Sequence, residues 1–354
     1  MCVSYQITLK TSGKIFTANP DETVLEAAIR QGINLPYGCK NGACGSCKGK
    51  VESGQVTHGN HSEKALSPEE ALDGCALFCC AKAQSDLTID VKEVEGLGDI
   101  PVKKIPCRVS SLDRVADDVV IVKLQLPATE KFQFVAGQYI EFLLKDKRRA
   151  YSLASAPHEE GPIELHIRHM PGGSFTDFVF GSSESGAMMK EKDILRFEGP
   201  LGSFFLREDS QKPIIFIASG TGFAPIKAII EHMRHQGIQR PVSLYWGGRR
   251  PKDFYKNELC QSWEKEIPNF KYIPVVSDAL PEDNWKGRTG FVHLAALEDH
   301  PDMSNYQVYA CGAPIVVESA KNDFVAKSKL PSDEFYADAF TSAADLAKKA
   351  ASNS

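Results

Sequence analysis

No stretch of this 354-residue chain approaches the roughly 20 consecutive apolar residues a helix needs to cross a bilayer, so no membrane role is expected. The first residues, MCVSYQITLK, lack the apolar core and small-residue cleavage site of a secretory leader, and the expected compartment is the cytoplasm. Basic charge is not in excess either. Lys and Arg number 41 against 46 Asp and Glu, a net charge of -5, which argues against nucleic acid as a partner. No internal repeat is present. What remains is the composition of an ordinary soluble protein, 42% hydrophobic and 25% charged, with length enough for two or three domains, each with its own core.

Cysteine is plentiful but unevenly spread. Six of the ten fall between positions 39 and 80: Cys39, Cys44, Cys47, Cys75, Cys79 and Cys80. In a large chain without an export signal, such a cluster points to a metal rather than to disulfides.

Three blocks follow one another. Up to about residue 95, the alternating runs Tyr5–Leu9 and Lys14–Thr17 read as a hairpin, and Asp21 is expected to cap a short helix carrying Val24, Leu25, Ala28 and Ile29. The run Leu87–Val91 reads as a closing strand. Residues 94–106, with Gly, Pro and charge but no period, read as a linker. From about 107 to 207, β-branched alternation at Val119–Leu124 and Ile163–Ile167, broken by turns, predicts an antiparallel barrel. The continuous apolar run Ile214–Ala218 marks a strand buried on both faces. A helical stretch with Ile226, Ile229, Ile230 and Met233 on one face comes next, and Val242–Trp246 and Gln307–Ala310 are further strands, so a parallel α/β sheet is expected.

The segment from Cys39 through Cys44 to Cys47, with a fourth cysteine further on, has the C-x4-C-x2-C spacing of plant-type 2Fe–2S proteins. Four thiolates must surround two irons, and Gly42 and Gly45 suit a loop that turns back on itself with its N–H groups near sulfur. Leu77-Phe78-Cys79-Cys80-Ala81 offers two neighbouring candidates for the fourth ligand, whose side chains would point to opposite sides of an extended chain.

Arg149-Ala150-Tyr151-Ser152 fits R-x-Y-S. An arginine can neutralise a pyrophosphate, a tyrosine offers an aromatic face to a ring system, and a serine hydroxyl can bond a ring nitrogen. Ala136-Gly137-Gln138-Tyr139 lies upstream; His166-Ile167-Arg168, Gly173-Ser174-Phe175-Thr176 and Gly199-Pro200-Leu201-Gly202-Ser203-Phe204 lie downstream. Between a buried strand and a helix, Gly220-Thr221-Gly222 lets a backbone approach a pyrophosphate at a helix N-terminus, with Pro225 in the first turn. Cys311-Gly312 ends a later strand. Arg249 and Arg250 follow the strand at 242–246, where they can reach a 2′-phosphate, contact a diphosphate or stay solvated.

These motifs, in this order over residues 1 to about 340, resemble the ferredoxin-NADP reductase superfamily. The arrangement with a plant-type ferredoxin at the N-terminus resembles reductase components of bacterial oxygenases and, more closely, CDP-6-deoxy-delta-3,4-glucoseen reductase. The resemblance implies a β-grasp 2Fe–2S ferredoxin domain (1–95), an antiparallel β-barrel FAD domain (103–207) and a parallel-sheet α/β nucleotide domain (208–342). It implies Cys79 as fourth ligand beside Cys39, Cys44 and Cys47, leaving Cys75 and Cys80 as small buried apolar residues. FAD is implied to sit against Arg149, Tyr151, Ser152, His166, Ile167, Arg168, Gly173, Ser174 and Thr176. NAD(P)H is implied at Gly220, Thr221, Gly222, Arg249, Cys311 and Gly312, with NADH favoured and NADPH possible. Ser152, Cys311 and Phe340, the last stacking on the flavin ring, are implied at the point of hydride transfer. The implied activity takes hydride from NAD(P)H to FAD and single electrons onward to the cluster and a partner oxygenase component, or alternatively to a sugar dehydratase. A monomer is expected, with partner docking around the cluster loop near Lys40 and Lys48. A non-catalytic redox sensor is the competing class, and it would lack working flavin or nicotinamide motifs. The tail 341–354 receives no function.

Overall fold

A computed structural model describes residues 4–94, 96–97, 100–145, 147–183 and 186–340. The chain forms two compact units. The first runs to Pro101 and takes in the chain from Ala337 onward; the second is Val102–Tyr336.

The first unit is built on β1 (Tyr5–Leu9), β2 (Ile15–Ala18), α1 (Val24–Arg30), β3 (Lys48–Ser53), β4 (Val56–Thr57), α2 (Pro68–Leu72), β5 (Cys75–Leu77), β6 (Lys82–Ala83) and β7 (Leu87–Asp90). Five of these strands form a mixed sheet in the order β2-β1-β7-β3-β5, with β1 parallel to β7 and the other pairs antiparallel. This is the β-grasp arrangement expected from the sequence. The hairpin pairs Tyr5 with Ala18 and Ile7 with Phe16, so Ile7, Leu9, Phe16 and Ala18 share the buried face. α1 covers that face with Val24, Leu25, Ala27 and Ala28. Its cap is Thr23 rather than Asp21: the Thr23 hydroxyl accepts from the Glu26 amide, and the Glu26 carboxylate accepts from the Thr23 amide. That reciprocal pair satisfies two amides at once, which Asp21, two residues upstream, cannot do.

The second unit opens with β8 (Lys103–Ala116), β9 (Val119–Gln125), β10 (Tyr139–Leu143), β11 (Arg148–Ser152), β12 (Ile163–Arg168), α3 (Ser174–Phe180) and β13 (Ile194–Leu201). The first of these starts inside the stretch read as a linker. Ile105, Cys107 and Val109 alternate into the core there, a period-2 signal that Lys103, Lys104 and Pro106 obscure in sequence. The six strands run antiparallel in the order β11-β10-β13-β8-β9-β12, and a bridge between Leu153 and Leu165 joins the two edges into a barrel. Its core holds Val122, Leu124, Ile140, Phe142, Leu165, Ile167 and Phe197.

The remaining elements are β14 (Ile214–Ser219), α4 (Phe223–Gln236), β15 (Val242–Gly248), α5 (Asn257–Glu266), β16 (Phe270–Val276), β17 (Arg288–Thr289), α6 (Val292–Asp299), β18 (Gln307–Gly312), α7 (Pro314–Lys327) and β19 (Phe335–Ala339). The sheet order is β17-β16-β15-β14-β18-β19, with β14, β15, β16 and β18 parallel. The chain steps outward from β14 to β17 and then returns to the other side of β14 at β18. The carboxyl ends of β14 and β18 therefore flank a topological switch point, the place where open α/β sheets bind ligands. Among the described residues no helix is long and apolar enough to cross a membrane.

Candidate functional site

In the first unit, Cys39, Cys44 and Cys47 lie on the loop between α1 and β3, and Cys79 lies in the turn after β5. The loop can fold this tightly because Gly42 and Gly45 both take a φ of 73°, and Lys40 a φ of 57°. The Ala43 amide donates to Cys39 Sγ at 3.4 Å, and the Cys79 amide donates to Cys47 Sγ at 3.4 Å. The Cys44 thiol lies 3.3 Å from the Ser46 hydroxyl. Hydrogen bonding from Cys39 brings Cys44 down to about 6, and bonds from Cys47 and then Cys80 bring Cys79 down to about 4. The hydrogen-bond partners Cys39 and Cys47 are pushed up in turn, so each pair shares its protons unevenly, and the four sulfurs with amides aimed at them match the donor set of an iron–sulfur cluster. Among the described residues no three His, Cys, Asp or Glu side chains converge on a single metal ion, and a binuclear centre spreads its four ligands over two irons.

The turn overturns one expectation. Backbone bonds from Cys80 N and Ala81 N to Leu77 O, at 2.9 and 2.8 Å, fold residues 77–81 back on themselves. The chain is not extended there, so the Cys79 and Cys80 sulfurs lie on the same side, 3.5 Å apart. Cys75 and Cys80 are half-buried rather than sealed in the core. Lys48 is ion-paired to Glu70 at 2.6 Å, and the Lys40 ammonium lies 5.9 Å from the Tyr37 ring centre.

In the second unit, the barrel's edge strand β11 presents Arg149, Tyr151 and Ser152. Tyr151 packs on Phe175 and Phe142, with ring centres 5.6 and 5.9 Å away. Ser152 Oγ is buried without a hydrogen-bond partner, one of few such atoms among the described residues. A buried hydroxyl left unmatched costs about 1–3 kcal/mol, so its place is explained by a ligand that bonds it. Gly173 caps α3 with no side-chain hydrogen bond, and Thr176 Oγ1 closes the preceding turn onto Met170 O at 2.9 Å and Gly173 O at 3.1 Å. Ser174 is exposed at the helix start. Arg168 is held by Asp118, Nε to Oδ2 at 2.7 Å, and a Cβ placed on Gly220 would meet Arg168 Nη1 at 2.9 Å. The barrel's arginine and the glycine turn are thus side by side.

His166 and Ile167, expected from the resemblance on the flavin site, have side chains engaged within the protein. Ile167 is fully buried in the barrel core. The His166 ring is engaged at both nitrogens, with Tyr255 Oη at 2.8 Å and Glu164 Oε1 at 2.9 Å. Burial pushes its imidazole below the ordinary value against the pull of Glu164, so it is neutral at pH 7.

At the switch point, Gly220-Thr221-Gly222 forms a single 3-10 turn leading into α4. A Cβ on Gly222 would lie 2.1 Å from Cys311 O, so glycine is obligatory there. Gly312, at a φ of 129°, packs equally closely on Ser219. The two nicotinamide motifs, about 90 residues apart in sequence, therefore share one wall. Arg249 is exposed at the end of β15, whereas Arg250 is clasped by Asp283 through Nε at 2.7 Å and Nη2 at 2.9 Å. Phe340 is half-buried just after β19.

Sequence reading missed the group that joins barrel and α/β sheet. Lys227, on α4 and only 7% exposed, donates to Ala154 O at 3.1 Å and to Glu231 at 2.8 Å, and lies 3.6 Å from Glu164 Oε1. The available signal was a lysine within the apolar run FAPIKAII. Burial opposes ionisation of Glu164, but the His166 hydrogen bond and the Lys227 charge outweigh it and hold the carboxyl down to about 2.

Three family descriptions match the chain: "2Fe-2S iron-sulfur cluster binding domain" over 7–84, "Oxidoreductase FAD-binding domain" over 106–206 and "Oxidoreductase NAD-binding domain" over 216–322. The chain is 41% identical over 338 residues to the CDP-6-deoxy-L-threo-D-glycero-4-hexulose-3-dehydrase reductase of Yersinia pseudotuberculosis, covering 96% of this chain and 99% of that protein. It is 35% identical to the phenol hydroxylase P5 protein of Acinetobacter pittii, covering 97% and 96%. The crystal structure of the Amycolatopsis cytochrome P450 reductase GcoB superposes with a TM-score of 0.77 at 32% identity, covering 96% and 99%. The chain belongs to the ferredoxin-NADP reductase superfamily, in the branch that fuses an N-terminal plant-type ferredoxin to a flavin and nicotinamide reductase. It is an NAD(P)H-dependent iron–sulfur flavoprotein oxidoreductase that uses FAD and a 2Fe–2S cluster and delivers electrons to a partner.

The Glu164 cluster sets an acid limit on the second unit. A carboxyl held below its ordinary value stabilises the fold above pH about 4.5, and this contribution is lost as pH falls towards 2. Glu164→Gln should cost about 2 kcal/mol at pH 7, and the gap to the parent protein should shrink steadily from pH about 4.5 down to pH 2.5. Urea midpoints measured across pH 2.5–7 check this; parallel curves would contradict it.

Proposed function

We propose that this chain is an NADH-driven reductase that exports single electrons from its cluster to a partner enzyme in the cytoplasm, acting as a monomer of three domains (1–95, 103–207 and 208–342). The observation that carries the reading is Ser152, a buried hydroxyl with no partner at the end of the strand bearing Arg149 and Tyr151. When bound, the flavin accepts an electron pair as hydride and the cluster passes electrons one at a time.

The chain's own residues bind and orient. Arg149, Gly173, Ser174 and Thr176 form the pyrophosphate side of the flavin site, with Arg168 beside Gly220. Tyr151 flanks the ring system, and Ser152 Oγ bonds flavin N5. Gly222 and Gly312 remove side chains where the nicotinamide must approach, and Cys311 fills the remaining space without a bulky group. Cys39, Cys44, Cys47 and Cys79 hold the irons. Cys79 is supported as the fourth ligand by its amide bond to Cys47 Sγ and by its burial.

NADH is favoured over NADPH by charge. Asp278, Glu282 and Asp283 all raise the proton affinity of Arg250, Asp283 most of all, so the one arginine beside Arg249 is already neutralised and a 2′-phosphate would meet carboxylates. The acceptor is favoured as a sugar dehydratase by the 41% relationship to a hexulose-dehydrase reductase. An oxygenase component is the second reading, supported by the 35% relationship to a phenol hydroxylase protein.

Cys44→Ser should leave NADH-driven ferricyanide reduction by the flavin intact while abolishing cytochrome c reduction. Survival of both activities would show that electrons leave by another path. Steady-state kinetics with the two nucleotides should give a kcat/KM for NADPH about tenfold to a hundredfold below that for NADH. Equal values would remove the charge argument.

A further inference from the structure

The sequence read Cys80 as a small buried apolar residue, and the structure places its sulfur 3.5 Å from that of Cys79. Two features independent of that distance hold it there. The Cys80 backbone is pinned on both sides, its N–H donating to Leu77 O at 2.9 Å and its carbonyl accepting from the Gly59 amide at 3.2 Å. The cluster loop also leaves room for the thiol: a Cβ on Gly42 would lie 2.8 Å from Cys80 Sγ, so any larger residue at 42 would push the sulfur away.

We propose that Cys80 donates an S–H···S hydrogen bond to the Cys79 thiolate and thereby raises the reduction potential of the cluster. This rests on the assignment of Cys79 as the fourth ligand. Reduction adds negative charge that the ligand sulfurs share. A donor aimed at one of them stabilises the reduced form more than the oxidised form. Cys80 is not itself an iron ligand. The bonds from Cys80 N to Leu77 O and from Gly59 N to Cys80 O keep its sulfur beside that of Cys79. Ser46 beside Cys44 is not a second such donor: its hydroxyl accepts from the Cys44 thiol at 3.3 Å and donates to Ala337 O at 3.3 Å.

The test is a spectroelectrochemical titration of the full-length holoprotein, with iron content and the electron paramagnetic resonance spectrum of the reduced cluster measured on the same samples. Cys80→Ala and Cys80→Val, which cannot donate, should keep two irons and titrate at a more negative midpoint than the parent. Cys80→Ser, which keeps a donor, should fall between them and the parent. Cys79→Ala should lose the cluster. Unchanged midpoints in both apolar variants, with iron intact, would overturn the hydrogen bond while leaving the ligand assignment standing. Loss of the cluster in the Cys80 variants with retention in Cys79→Ala would overturn the ligand assignment itself and make Cys80 the fourth ligand.

Discussion

Glu164 carries the strongest constraint in the second unit, because its carboxylate is withdrawn from water at the place where the barrel strand β12 meets helix α4. It stays ionised because His166 and Lys227 reach it from the two sides, with the Lys123 ammonium 3.8 Å away. Removing one partner would leave a largely buried charge less well compensated, at a greater cost than a surface ion pair contributes. The same helix begins at the glycine turn, and the same strand ends at Arg168, beside Gly220. The position of the nicotinamide turn against the flavin barrel is thus fixed by polar contacts rather than by apolar packing alone. A misplacement of about an ångström can slow a positioned transfer step roughly a hundredfold, so such anchoring has a direct bearing on rate.

Chemistry in the two units obeys different rules. The flavin and nicotinamide site is defined by missing atoms: side chains absent at Gly222 and Gly312, and a partner absent at Ser152 Oγ. The cluster site is defined by sulfur and the amides directed at it, from Ala43 to Cys39 and from Cys79 to Cys47. A centre that carries one electron depends on hydrogen bonds to its ligands for its potential. A site that takes hydride depends on close approach. Each unit has the kind of loop its chemistry requires.

The ligand loop, the R-x-Y-S strand and the glycine turn were legible in sequence because each is a short contiguous segment whose chemistry depends on residue type and spacing. The strands around them were legible by period. What sequence could not supply was tertiary. Glu164, Lys227 and Tyr255 come from separate elements and meet only in the folded unit, so the polar partners of His166 were out of sight. The Cys79–Cys80 pair was misjudged because period-2 reasoning assumes an extended chain, and the turn closed on Leu77 O is not extended. Asp21 and Thr23 are both acceptable caps by type; only the reciprocal bond with Glu26 decides between them.

The central claim is the direction of electron flow, from NADH through FAD to the cluster. Anaerobic rapid mixing of the oxidised holoprotein with NADH, followed by flavin absorbance and freeze-quenched paramagnetic resonance, tests it most directly. The account predicts that flavin bleaching comes first, that the cluster signal rises after a lag, and that flavin-free protein shows no cluster signal. A cluster signal that precedes flavin bleaching, or that appears in flavin-free protein at the same rate, would contradict it.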